Sequence, residues 1–156
     1  MGEFQRLETG YQQIQGTKPQ TLGYALTDSP AGLAGWIVEK FRSWSDCGGD
    51  VERRFSKDEL LTNVMIYWVT RTINSSVRLY CESMRSGRFG LAGRRVEVPT
   101  GCAIFPKEVI RPPRRWAEAH FDVRQWTVMP SGGHFAALEE PEALVADVRS
   151  LFRGLR

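Results

Sequence analysis

The segment Pro130-Ser131-Gly132-Gly133-His134-Phe135-Ala136-Ala137-Leu138-Glu139-Glu140-Pro141 sets a histidine behind two glycines and just ahead of an amphipathic run. Histidine is the side chain best suited to take and return a proton near neutral pH. Glycines let the backbone turn sharply and leave the imidazole unobstructed. A general base on such a loop, after a short β-like run, is how the last member of a nucleophile–acid–histidine triad is presented. Glu108 supplies the matching acid. In Phe105-Pro106-Lys107-Glu108 it follows another β-like run, and it precedes His134 by one strand–loop–helix unit. A carboxylate on the ring N–H fixes the tautomer and stabilises the imidazolium that forms. Taken singly, a turn histidine and an exposed loop glutamate are the commoner roles for such residues. The pair carries the chemistry.

The elements that must position this pair fall into two stretches. Up to about residue 90 the signals are helical. Thr17, Pro19, Leu22, Ala25 and Leu26 read as a capped short helix, which Asp28-Ser29-Pro30 ends while starting the next. There Leu33, Trp36, Ile37, Phe41 and Trp44 recur at helical spacing and should face a core. Asp46-Cys47-Gly48-Gly49-Asp50 is a loop, and Ser56-Lys57-Asp58-Glu59 has the form of a capping box. Leu61, Val64, Met65, Trp68, Ile73, Val77 and Tyr80 then follow on a long helical face, with a bend expected near Asn74-Ser75-Ser76. After a loop over 87–93 the period changes. Val96–Phe105 reads as a strand, Pro113–His120 as a helix and Val123–Met129 as a second strand. A last helix from Pro141 carries Leu144, Val148, Leu151 and Leu155 on one stripe. Strand, helix, strand, helix implies a parallel sheet with a covering layer, hence an α/β class. Two strands leave unpaired edges, so this part reads as the end of a larger α/β domain.

Composition narrows the classes further. The chain has 156 residues, 42% of them hydrophobic, enough for one core of ordinary size. A net charge of +3 with scattered arginines argues against a nucleic-acid partner, and Arg111-Pro112-Pro113-Arg114-Arg115 reads as a turn and helix start. Cys47, Cys81 and Cys102 are odd in number and widely spaced, which favours reduced thiols in a cytoplasmic setting and offers no metal-ligand pattern. The N-terminus has no signal-peptide form, and no apolar run reaches membrane-spanning length. A soluble protein without a membrane anchor is expected.

Five segments together resemble a known family. They are residues 10–22 (GYQQIQGTKPQTL), 28–34 (DSPAGLA), 60–64 (LLTNV), 98–101 (VPTG) and 132–137 (GGHFAA). The family is the epoxide hydrolases of the microsomal type, and the resemblance covers nearly the whole chain. It implies a C-terminal portion of an α/β-hydrolase, with residues 1–92 as part of a helical lid. Residues 93–156 would then be the last two parallel strands and closing helix of the core. It implies that His134 is the water-activating base and Glu108 its acidic partner. Tyr11 and Tyr80 would be the two lid tyrosines that hydrogen-bond to the epoxide oxygen. A phenol suits that task, since a pKa of about 10 leaves it a protonated donor at neutral pH. Tyr80 otherwise reads as a core aromatic beside Ile73 and Val77, and Tyr11 as a staple before a helix. Tyr24 and Tyr67 match no role.

In this family an aspartate opens the epoxide to a covalent ester, which a histidine-activated water hydrolyses to a vicinal diol. The resemblance implies a small-molecule epoxide and water as reactants, with no metal or organic cofactor. The pattern departs from the family by omission: no small-x-Asp-x-small elbow is present to supply the nucleophile, and the His-Gly-x-Pro oxyanion loop is absent. Gly48-Gly49-Asp50-Val51-Glu52 lacks the preceding strand and following small residue, and Asp28 lies between helices. The expectation is an incomplete, inactive portion that self-associates or requires a missing N-terminal half. Two alternatives stand beside it. One is a haloalkane or fluoroacetate dehalogenase relative, against which the paired tyrosines argue. The other is a non-catalytic binding module presenting Trp36, Trp44 and Trp68 to a partner.

Overall fold

The computed structural model describes residues 2–87 and 94–155. The chain divides into two compact units, Met1–Glu39 with Ser56–Ala92 and Lys40–Phe55 with Gly93–Arg156. Residues 40–55 pack with the later part of the chain and not with the helices around them in sequence. Beyond Gly87, the loop expected over 87–93 lies outside the described residues.

In the first unit the helices are α1 (Gly2–Leu7), α2 (Gly10–Thr17), α3 (Pro19–Asp28), α4 (Pro30–Trp44, its end belonging to the second unit), α5 (Lys57–Thr70) and α6 (Ile73–Arg85). Pro30 opens α4 where its missing N–H costs nothing, and the Ser29 hydroxyl accepts from Gly32 N at 3.0 Å. Thr17 does not cap α3; its hydroxyl turns back to the Gln13 carbonyl at 2.6 Å. The capping box of α5 forms in full. Ser56 Oγ accepts from Glu59 N and the Glu59 carboxylate accepts from Ser56 N. The Ser56 hydroxyl donating to Glu59 Oε2 at 2.7 Å, and then the Ser56 N–H donating to the same oxygen, hold the Glu59 carboxyl below its ordinary pKa.

The long face expected from Leu61 to Tyr80 is two helices, and its break comes earlier than Asn74. Arg71 takes a left-handed conformation at φ 56°. Its N–H reaches Trp68 O at 3.3 Å and the Thr72 N–H reaches Tyr67 O at 3.2 Å, the Schellman pairing. No glycine marks the spot, so the stop is unsigned in the sequence. The buried stripe of α5 is also turned from the expected one: Leu60 and Val64 are buried, whereas Leu61 and Met65 are exposed. Leu26, Leu33, Val64, Ile73 and Val77 form the core, with Trp36, Tyr67 and Trp68 packed against it.

The second unit holds β1 (Val96–Ile104), α7 (Arg114–His120), β2 (Phe121–Val128), α8 (Ala136–Glu139) and α9 (Pro141–Gly154), with a 3₁₀ turn at Val51–Arg53. β1 and β2 pair in parallel. Along the α9 stripe, Leu151 lies over Gly101 of β1, while Val148 and Leu155 stay exposed. Among the described residues no helix is long and apolar enough to cross a membrane, and no cluster of His, Cys, Asp or Glu suits a metal ion.

Candidate active site

The parallel register brings His134 and Glu108 together. Ile104 pairs with Val128, and the Met129 N–H donates to Ile104 O at 2.9 Å as the strands end. A further parallel bridge joins Lys107 to Gly133, with Lys107 N donating to Gly132 O at 3.1 Å. Glu108 and His134 each follow that bridge by one residue, so both chains deliver their side chains at the same level. Glu108 Oε1 lies 2.7 Å from His134 Nδ1. An ionised carboxylate can only accept, so Nδ1 carries the proton and the lone pair is left on Nε2. The same oxygen accepts from Val109 N at 2.6 Å, which anchors the glutamate. His134 is 39% exposed and Glu108 29%, open enough for a proton to pass to water.

Two glycines make the loop possible. Gly132 sits at φ +100°, where a side chain would also strike Phe105 and Glu140. At Gly133 a Cβ would come within 2.5 Å of the Trp44 carbonyl oxygen and 3.0 Å of Ser45 Cα. That close approach lets the His134 N–H donate to Trp44 O at 2.9 Å. The Trp44 indole meets the imidazole edge-on at 5.2 Å, and Phe135 stacks on Phe41 at 4.1 Å.

A polar lattice that the sequence did not announce surrounds this loop. The buried Glu139 carboxylate accepts from Asp46 N at 2.7 Å and from Phe135 N at 3.0 Å. Asp46 Oδ2 accepts from Gly132 N at 3.1 Å. Arg54 donates to Asp46 O at 2.8 Å and pairs with Glu140 Oε1 at 2.9 Å. An acid pair directly after the histidine loop was the available signal. Its partners lie up to 93 residues away, beyond the reach of any local pattern.

The tyrosines belong to the first unit. Tyr80 shares a face of α6 with Ile73, Val77 and Cys81, all three buried, and α6 packs on α2 and α3. Tyr11 stands on α2, and the two rings meet edge to face at 5.7 Å. Burial first, then a hydrogen bond to Tyr80 and the charges of Tyr80 and Glu8, raise the Tyr11 pKa well above the ordinary phenol value. It is a protonated donor throughout the neutral range. Tyr24 is exposed and Tyr67 packs on the core. The three tryptophans of the binding-module reading are half-buried, Trp36 donating to Gln15 Oε1 at 3.3 Å. Asp50 is occupied as a cap, its Oδ1 accepting from Glu52 N at 3.2 Å, and Asp28 is the exposed last residue of α3.

No family model matches the chain. Individual relatives do. A putative epoxide hydrolase of Stigmatella aurantiaca is 45% identical over 149 residues, covering 95% of this chain and 33% of the relative. Epoxide hydrolase 1 of Sus scrofa is 47% identical over 157 residues, with 95% and 34% covered. Among solved structures, the juvenile hormone epoxide hydrolase of the silkworm Bombyx mori superposes with a TM-score of 0.89 at 38% identity. That match covers 94% of this chain and 37% of the silkworm protein. Aspergillus niger epoxide hydrolase gives 0.83 at 28% identity, over 99% and 38%. The chain spans about a third of the length of the curated relatives it matches. Over that third, the chain is similar to a C-terminal portion of epoxide hydrolases of the α/β-hydrolase fold.

Proposed function

We propose that this chain contributes the proton-transfer pair and the two phenol donors of an enzyme that converts epoxides to vicinal diols through a covalent ester. The observation that carries this reading is the 2.7 Å contact between His134 Nδ1 and Glu108 Oε1. In the first step an aspartate oxygen, supplied from the family's length that the chain does not span, bonds to a ring carbon. The epoxide C–O bond breaks, and Tyr11 and Tyr80 stabilise the oxygen as negative charge develops on it. In the second, Nε2 of His134 takes a proton from water as the oxygen attacks the ester carbonyl. Glu108 stabilises the imidazolium until it gives that proton to the departing alkoxide, so the diol leaves as the aspartate carboxylate is restored.

The test is to install residues 1–156 in place of the matching third of the Stigmatella aurantiaca relative and supply styrene oxide. Diol formation is expected. With His134→Gln, ester should form and persist, visible as a protein mass increase equal to that of the epoxide. Normal turnover in that variant would remove His134 from the mechanism. Residues 1–156 alone should yield no diol and should associate through their strands, where Val98 and Val128 are 68% and 73% exposed. Light scattering and a diol assay decide this, and a monomer making diol would contradict it.

A further inference from the structure

We infer that Glu139 is a positioning residue for His134, its carboxylate clamping the histidine loop to the segment that ends α4. This rests on the function proposed above. The histidine loop runs past Trp44–Asp46, and three of its N–H groups end on that segment or on Glu139. Gly132 donates to Asp46 Oδ2, His134 to Trp44 O and Phe135 to Glu139 Oε1. Glu139 closes the lattice, because its other oxygen takes the Asp46 N–H at 2.7 Å. One buried carboxylate therefore joins the residue after His134 to the residue that receives Gly132. Both oxygens are used, and both partners are part-buried backbone amides.

The clamp bears on the reaction through direction. His134 reaches Glu108 only while its backbone stays at the level set by the Lys107–Gly133 bridge. That bridge holds the loop on one side and the Trp44–Asp46 segment holds it on the other. Gln at position 139 matches Glu in shape, but its amide has one acceptor oxygen, so a donor must face one of the two N–H groups. The expected result is an imidazole no longer held on Glu108 in a loop that still folds.

The experiment places Glu139→Gln in the hybrid enzyme described above, beside His134→Gln, and times alkylation and ester hydrolysis separately. Alkylation should stay near the parent rate while ester hydrolysis slows about 10- to 100-fold, the range seen when an orienting partner is lost. Ester should then accumulate. Asp46→Asn, which keeps its own N–H on Glu139, should slow the same step less. Parent-rate ester hydrolysis in Glu139→Gln, or an equal loss in both steps together with a lower Tm, would overturn the proposal. If His134→Gln itself accumulates no ester, the epoxide reading has failed. The clamp is then judged in the same hybrid protein by the Nδ1–H resonance of ¹⁵N-labelled His134. That signal should be sharp in the parent and broadened in Glu139→Gln, and an unchanged signal would sink the clamp.

Discussion

In the helical unit Tyr11 and Tyr80 meet because α2 and α6 each turn a face inward, and the same packing that buries Ile73, Val77 and Cys81 delivers the phenols. In the strand unit His134 and Glu108 meet because two parallel strands end in register and a glycine loop is laid against another backbone. The first arrangement depends on apolar area, which is tolerant of small shifts. The second depends on backbone hydrogen bonds and one close contact, which are not. The division matches the chemistry proposed for each pair. A phenol donor needs only to remain protonated, and burial secures that. A base with its acid partner must keep one nitrogen aimed at the carboxylate and the other at water.

Adding a single methyl to the loop should therefore do more harm than removing most of a core leucine. Gly133→Ala must displace the Trp44 carbonyl and should lower stability by about 3–4 kcal/mol, with loss of the His134–Glu108 bond. Leu33→Ala, at the fully buried centre of the helical core, should lower it by about 3 kcal/mol. Urea unfolding of both variants reads the difference, and the reverse order would break the comparison.

Removing one hydroxyl from the tyrosine pair should leave folding nearly untouched and slow alkylation. Tyr80→Phe and Tyr11→Phe should each remove about 3 kcal/mol of transition-state stabilisation. Single-turnover alkylation in the hybrid enzyme measures this, and unchanged rates in both variants would free the tyrosines of the role. Alkaline pH probes the same pair without substrate. Because the folded state holds the Tyr11 proton above the ordinary value of 10.0, the unfolded chain releases its proton first as pH rises. The contribution is complete below about pH 10 and declines above it, and it should vanish in Tyr11→Phe. Denaturant midpoints taken from pH 8 upward, at steps of about one unit, show the slope.

The smallest effect is expected at the start of α5. Ser56→Ala removes the hydroxyl that receives Glu59 N and should cost about 1 kcal/mol. Glu59 gives this cap the opposite pH sign to Tyr11. Its folded pKa is depressed, so its contribution is present above the unfolded value near 4.5 and fades as pH falls below it. A Ser56→Ala variant with the parent's acid profile would show that the box contributes nothing in solution.

Features settled within one turn of chain were legible without coordinates. The capping box at Ser56–Glu59, the stop and restart at Asp28–Pro30, both strands and the glycines before His134 each depend on neighbours a few residues away. The α/β class followed from the order of those elements. The early end of α5 was not legible, because Arg71 occupies a left-handed position that carries no glycine. Whether Leu60 or Leu61 faces inward depended on which side of α5 the other helices occupied, and amphipathic spacing left both open. The clamp was furthest from view. Glu139, Asp46 and Arg54 look like ordinary charged residues of loops and short helices until the fold removes water from between them. Folding brings the Asp46 amide within 2.7 Å of the Glu139 carboxylate, 93 residues away in sequence, and burial of that carboxylate makes it depend on such backbone partners.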